Sequence, residues 1–237
     1  MRTALKVVSC VFGMASFLQA STCLADPLNI SVASDDVALG QVNENGSVAT
    51  VSGDIRVEEA HAPAHISAIS GNIKIGRVAE GGAISAVSGD VSIGEAYKSL
   101  QIQTVSGNIR VDRVFGEAHY KTTSGDIDVA LGDQDPPQLR DVSLTTVSGD
   151  VVFHISKSFA GSVDIWARQS EKDNKLPVIQ SLGLNVETGP WEENSLKTLG
   201  LGSSNRTRDV HVSGNVGNGH EHLVIRTTSG TVRVVQE

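Results

Sequence analysis

Seven histidines and a recurring Ser-Gly-Asp/Asn tripeptide are the residues of this chain whose types and spacing could support chemistry. His220-Glu221-His222 would set two imidazoles on one face of a strand, which makes His220 and His222 weak candidates for a metal site. His61 and His65 are four apart, but in a corner and strand, where that spacing does not align side chains as it does on a helix. The serines recur in one and the same turn, where a hydroxyl bonds to local backbone, and no neighbour singles one out as a nucleophile. The place after the turn glycine runs Asp54, Asn72, Asp90, Asn108, Asp126. A calcium ladder there would need several oxygens converging at about 2.5 Å, and the nonapeptide Gly-Asp repeat that supplies them is missing. The alternation instead holds carboxylates two coils apart, about 10 Å, with Arg56, Lys74 and Arg110 on the same side of the strand to offset them. No nucleophile elbow, phosphate loop, His-Glu-x-x-His or cysteine ligand pattern is present. The expectation is a chain without catalytic residues, cofactor or dedicated metal centre.

The elements that would carry these residues follow from the spacing of the tripeptide. It occurs at Ser52, Ser70, Ser88, Ser106 and Ser124, always 18 residues apart, and again at Ser148 after 24. Ser213-Gly214-Asn215 and Ser229-Gly230-Thr231 close the series. Gly53, Gly71, Gly89, Gly107, Gly125, Gly149, Gly214 and Gly230 are therefore the expected structural turns. Two places beyond the first five glycines stand Ile55, Ile73, Val91, Ile109 and Ile127; four places beyond stand Val57, Ile75, Ile93, Val111 and Val129. Polar residues separate them, as in a strand with one buried face. A second alternating run places Ile66, Ile84, Ile102 and Tyr120 thirteen beyond the glycines. A short fixed period with apolar residues in phase means stacked coils, each covering its neighbour's open face. The hexapeptide pattern of left-handed acyltransferase helices is absent, since His61 and Ser67 stand six and twelve beyond Ile55. The fold class is all-β: a single-stranded β-solenoid, a right-handed β-helix with about 18 residues per coil and two or three strands in each.

Arg2 and Lys6, the apolar stretch from Val7 to Leu18 and the small residues up to Ala25 form a secretory signal peptide over residues 1–25. Its removal would take Cys10 and Cys23, the two cysteines of the sequence, so disulfides and thiolate chemistry fall away. The remainder, 26–237, is one β-solenoid domain: regular coils over about 30–155, an irregular section over about 156–211 and a terminal coil at 212–235. The insertion around Asp133–Pro137 and a protruding loop at Gln169–Lys175 interrupt it, and Pro27 and Gln236-Glu237 are expected to blunt its two ends. A formal net charge of −8 without a Lys/Arg cluster gives no footprint for nucleic acid. No second segment of spanning length follows the leader, so the product is expected to be extracytoplasmic, periplasmic or secreted, and monomeric, with no stable membrane insertion.

The units Thr50–Val57, Thr104–Val111 and Thr227–Val234, each Thr-x-Ser-Gly-x-(Ile/Val)-x-Val with Val or Thr at the second place, resemble those of a bacterial adhesin family. Its members are extracytoplasmic β-solenoids related to the toast-rack domains of envelope-stress proteins, and the likeness spans about Asn29 to Val235. The resemblance implies a non-catalytic adhesin-like interaction or scaffold module of the cell envelope, whose partner is an envelope protein or surface polymer. It implies no catalytic residues. An envelope-stress or signalling accessory that senses a ligand is the alternative. A carbohydrate-active β-helix enzyme would need aromatic platforms and a charged groove, and aromatics make up only 4% of the sequence.

Overall fold

Alternation with period two and a glycine at every corner give strands that stack on their own equivalents. The computed structural model describes residues 18–20, 29–42, 45–133, 140–172, 176–180, 182–193 and 206–236. Most of the expected leader, the Pro136-Pro137 insertion and residues 173–175 lie outside these. The chain begins with β1 (Leu18–Ala20), β2 (Asn29–Val32) and β3 (Val37–Val42). Six pairs follow: β4 (Gly46–Ser52) and β5 (Ile55–Ala60), β6 (Ala64–Ser70) and β7 (Ile73–Val78), β8 (Gly82–Ser88) and β9 (Val91–Ala96). Next come β10 (Leu100–Ser106) and β11 (Ile109–Val114), β12 (Ala118–Ser124) and β13 (Ile127–Leu131), β14 (Asp141–Ser148) and β15 (Val151–Ile155). The last third holds β16 (Gly161–Ser170), β17 (Val178–Gln180), β18 (Asn185–Thr188), β19 (Glu192–Glu193), β20 (Arg206–Val216), β21 (Glu221–Ser229) and β22 (Val232–Gln236). Each regular coil contributes two strands, one to each of two sheets, and the Ser-Gly-Asp/Asn tripeptide turns the chain between them.

Pairing within the body is parallel and in register at a step of one coil: Ile55↔Ile73, Ile73↔Val91 and Val91↔Ile109 on one sheet, Ile66↔Ile84 and Ile84↔Ile102 on the other. The columns read from the sequence are the core. Ile55, Ile73, Val91, Ile109 and Ile127 are fully buried, as are Ile102 and Tyr120 facing them. The architecture is an all-β solenoid of two facing sheets, one of ten strands and one of twelve, with β19 off the main path of the second. β1, inside the expected leader, pairs in parallel with β3 through Leu18↔Val37.

The tripeptide turns stack as closely as the strands. Gly89 has φ 143°, and a Cβ there would lie 2.1 Å from the carbonyl oxygen of Gly71, one coil earlier. Such an angle and such an approach are open only to glycine. Beside it runs an Asx ladder: the backbone N–H of each Asp or Asn donates to the side-chain Oδ1 of its equivalent in the previous coil. Asn72 donates to Asp54 at 2.7 Å, Asp90 to Asn72 at 3.0 Å, Asn108 to Asp90 at 2.8 Å and Asp126 to Asn108 at 2.8 Å. These residues are therefore structural acceptors. The expected offsetting by the strand cations takes another form, because Arg110 bridges Asp112 (3.0 Å) and Asp128 (3.1 Å) rather than the ladder.

Three expectations for the last third need correction. First, the final coil is not the end of the stack: β21 pairs with β14 and β22 with β15, while β16 and β17 stack outside them. The cause lies in the turns. Ser229-Gly230-Thr231 fits onto Ser148-Gly149-Asp150, with Gly149 N–H donating to Ser229 O (2.9 Å), Val151 N–H to Thr231 O (2.8 Å) and Thr231 N–H to Asp150 Oδ1 (2.6 Å). The segment after Ile155 has no such turn and is displaced outward. Gln236, expected at an edge, instead pairs with Ile155. Second, Gly214 is no turn. It lies within β20, which runs antiparallel to β16 with Val163↔Gly214, so 212–216 belongs to that strand and not to the closing coil. Third, Gln169 is not in a loop but is a buried residue of β16, and the described part of the turn begins at Glu171.

Candidate functional site

Beyond the inserted final coil, parallel stacking gives way to an antiparallel cap made of β16, β20, β18 and β19. β20 runs antiparallel to β16 from Gly161↔Val216 to Ser170↔Thr207, and β18 and β19 add to its far side. Val163, Ile165, Val210 and Val212 hold the cap to the solenoid core. The alternate residues of β16 and β20 face outward, and they carry the chemistry.

The register Trp166↔His211 puts two rings side by side on that outer face, stacked at a centroid distance of 3.9 Å and 13° between planes. His211 Nε2 lies 3.2 Å from Asp164 Oδ1, which fixes the imidazole between indole and carboxylate. Two residues on along β16, Arg168 Nε donates to Asp209 at 3.0 Å. The second tryptophan uses a cation: the Arg208 guanidinium sits 4.6 Å from the Trp191 ring centre, and its Nε donates to the buried Gln169 Oε1 at 2.7 Å. Arg206 pairs with Glu193 at 3.3 Å. Trp166 and Trp191 remain 43% and 40% exposed, so each indole is held in place on one side and still open to a ligand. Prefixed aromatic rings flanked by charged hydrogen-bonding groups suit stacking and polar recognition of a ligand. Both tryptophans lie outside the repeated columns of the sequence, and nothing local could pair Trp166 with His211 across an antiparallel register.

The weak metal candidates His220 and His222 gain no further ligand among the described residues. His222 is an outward residue at the start of β21, His220 precedes the strand, and Glu221 between them turns inward. Among the described residues no group of three or more His, Cys, Asp or Glu is arranged to hold a metal ion. His61 binds Glu59 (2.9 Å), and His65 faces outward on β6.

Glu221 instead makes a contact that sequence reading missed. It forms a buried ion pair with Arg140, at the start of β14; the two side chains are only 4% and 2% exposed. Arg140 also donates to Gly132 O at 2.7 Å, and Glu221 Oε2 accepts from Ala160 N–H at 2.8 Å. The pair thus ties together the body, the inserted final coil and the entry to the cap. On the opposite sheet, Arg77, Glu95 and Arg113 form a chain of ion pairs across three coils at 3.3 and 3.2 Å. The Tyr97 hydroxyl donates to Glu95 at 2.9 Å and holds its carboxyl below the ordinary value of 4.5; Arg77 and Arg113 add to this and partial desolvation opposes it.

The model of the family described as Toastrack DUF4097 matches residues 47–181, more than half of the chain. No curated protein and no solved structure matches it.

Proposed function

The chain belongs to the Toastrack DUF4097 family, and from that premise we infer that it is a non-catalytic interaction module which displays a binding surface on a rigid solenoid. The observation that carries the reading is the cap: both tryptophans of the chain stand half-exposed there, each braced by a charged or imidazole partner. The leader-like residues 1–25 support placing this module at the cell envelope, as an adhesin-like contact to an envelope protein or surface polymer. The solenoid body serves as the spacer, and its repeated core keeps the cap in a fixed orientation.

The test is binding of envelope extract and purified envelope polysaccharide to wild type and to the double variant W166A/W191A. The variant is expected to stay folded, since neither indole belongs to the buried core, and to lose at least tenfold in retained partner. Undiminished binding by a folded W166A/W191A protein would remove the cap from the reading.

A further inference from the structure

The two outer faces of the solenoid differ sharply in charge. Strands β5, β7, β9, β11, β13 and β15 contain ten Asp, Glu, Lys or Arg residues, from Arg56 to Asp128. Strands β4, β6, β8, β10, β12 and β14 contain two, Lys121 and Asp141. On the second face a row of aliphatic side chains runs along the stacking axis just before the tripeptide turns: Val51, Ile69, Val87, Val105 and Val147. Each is between 45 and 52% exposed, and Thr123 fills the remaining place. The register pairs on either side, such as Thr50↔Ala68 and Ser52↔Ser70, put successive members one strand apart, about 4.8 Å. An exposed contiguous apolar row on an otherwise sparsely charged face marks an interaction surface.

We propose that a second copy of this chain docks on this face, the two solenoids lying face to face with antiparallel axes about a two-fold parallel to the strands. Three features select this occupant. Only another parallel β-stack offers side chains at the same axial spacing, so the two aliphatic rows can interdigitate along their whole length. The two-fold sets Val87 against Val105 of the second copy, Ile69 against Thr123 and Val51 against Val147. A two-fold along the stacking axis would instead lay the row on the Ser47–His65 column and bring Lys121 against itself.

The second feature is shape. Beside the row, Ala49, Ser67 and Ser85 are followed by Gln103, Lys121 and Thr145, so small side chains occupy one half of the face and longer ones the other. The antiparallel arrangement sets Ser85 against Gln103 and Ser67 against Lys121. A shallow hollow of about 350 Å³, lined by His65, Ser67, Ala83, Ser85 and Gln103 among others, is there to receive them. The third is area. Six strands of seven or eight residues present about 600 Å² per copy, about 1,200 Å² for the pair, above the roughly 1,000 Å² a specific interface needs. A chain of net charge −8 avoids like-charge repulsion best by pairing through its least charged face. This contact uses a different surface from the cap and does not depend on it.

The experiment is sedimentation velocity of the full chain from low micromolar to near-millimolar concentration, together with V87K/V105K. Wild type is expected to shift to the dimer as concentration rises, and V87K/V105K to remain a monomer with an unaltered melting curve. A wild type that stays monomeric throughout overturns the proposal, as does a dimer that survives V87K/V105K. Register is read by oxidation of cysteine variants in which Cys10 and Cys23 are replaced by serine. V51C/V147C, opposed across the two-fold but about five strand spacings apart within one chain, should form a covalent dimer. V51C alone, whose two copies would lie about five strand spacings or ~24 Å apart, should not; equal cross-linking of both would overturn the antiparallel arrangement.

Discussion

One residue breaks the aliphatic run of its own column. Tyr120 takes a column position occupied by Ile66, Ile84 and Ile102 in earlier coils, is 1% exposed, and its hydroxyl finds no hydrogen-bond partner among the described residues. Burial pushes that hydroxyl's pKa far up, so the folded chain keeps the proton where the unfolded chain gives it up. The raised folded-state value means stability is complete below about pH 10, the free tyrosine range, and falls as pH rises beyond it. Tyr120→Phe is expected to raise stability by about 1 kcal/mol through loss of an unpaired buried polar group and to flatten the alkaline limb. Urea midpoints at neutral pH and above the tyrosine range would show both; a lower midpoint at neutral pH would mean the hydroxyl is paired.

The element that defines the coil is the turn, and it is held by backbone. Each turn glycine from Gly71 to Gly125 abuts the glycine one coil before it, and the Asp/Asn side chain beside it accepts the next coil's N–H. Asn in alternate coils keeps this ladder of acceptors while halving its charge, which is why Asp54 and Asp90 are separated by Asn72. Gly89→Ala should therefore destabilise far more than an exposed glycine substitution does. It combines a forbidden φ with a clash against Gly71 O, and a loss of about 3 kcal/mol or more is expected. Ile93→Ala, at a buried column site of the neighbouring strand, sets the scale at about 2–5 kcal/mol. Denaturant unfolding of both variants checks the comparison; a Gly89→Ala protein as stable as wild type would show that the turn relaxes.

At the scale of the whole molecule, the closing coil slots inside the stack, and the segment that precedes it in sequence becomes the cap. The buried Arg140–Glu221 pair sits at that junction, 81 residues apart along the chain. Removing one partner leaves an uncompensated buried charge, so Arg140→Met is expected to cost about 3–5 kcal/mol. R140M/E221L, which removes both, should recover a large part of it. Tryptophan emission follows the event directly, because Trp166 and Trp191 both belong to the cap. If the double variant proved as unstable as the single one, the pair would matter through its bonds to Gly132 and Ala160 rather than through its charge.

Much of this architecture is legible in the linear order of residues. An 18-residue period with Ile and Val in phase states the coil, its strands and its core, because a residue stacked on its own equivalent needs no information from elsewhere in the chain. The same holds for the asymmetry of the faces, once each coil is known to give one strand to each sheet. What only tertiary structure decided is long-range choice: that Ser229-Gly230 joins Ser148-Gly149, that Gly214 lies in an antiparallel strand, and that Trp166 meets His211 and Arg140 meets Glu221. These contacts join segments 45 to 81 residues apart, where no constant period says which neighbour is taken. Competition between possible neighbours on an open sheet edge settles them, and that competition is won by fit in three dimensions.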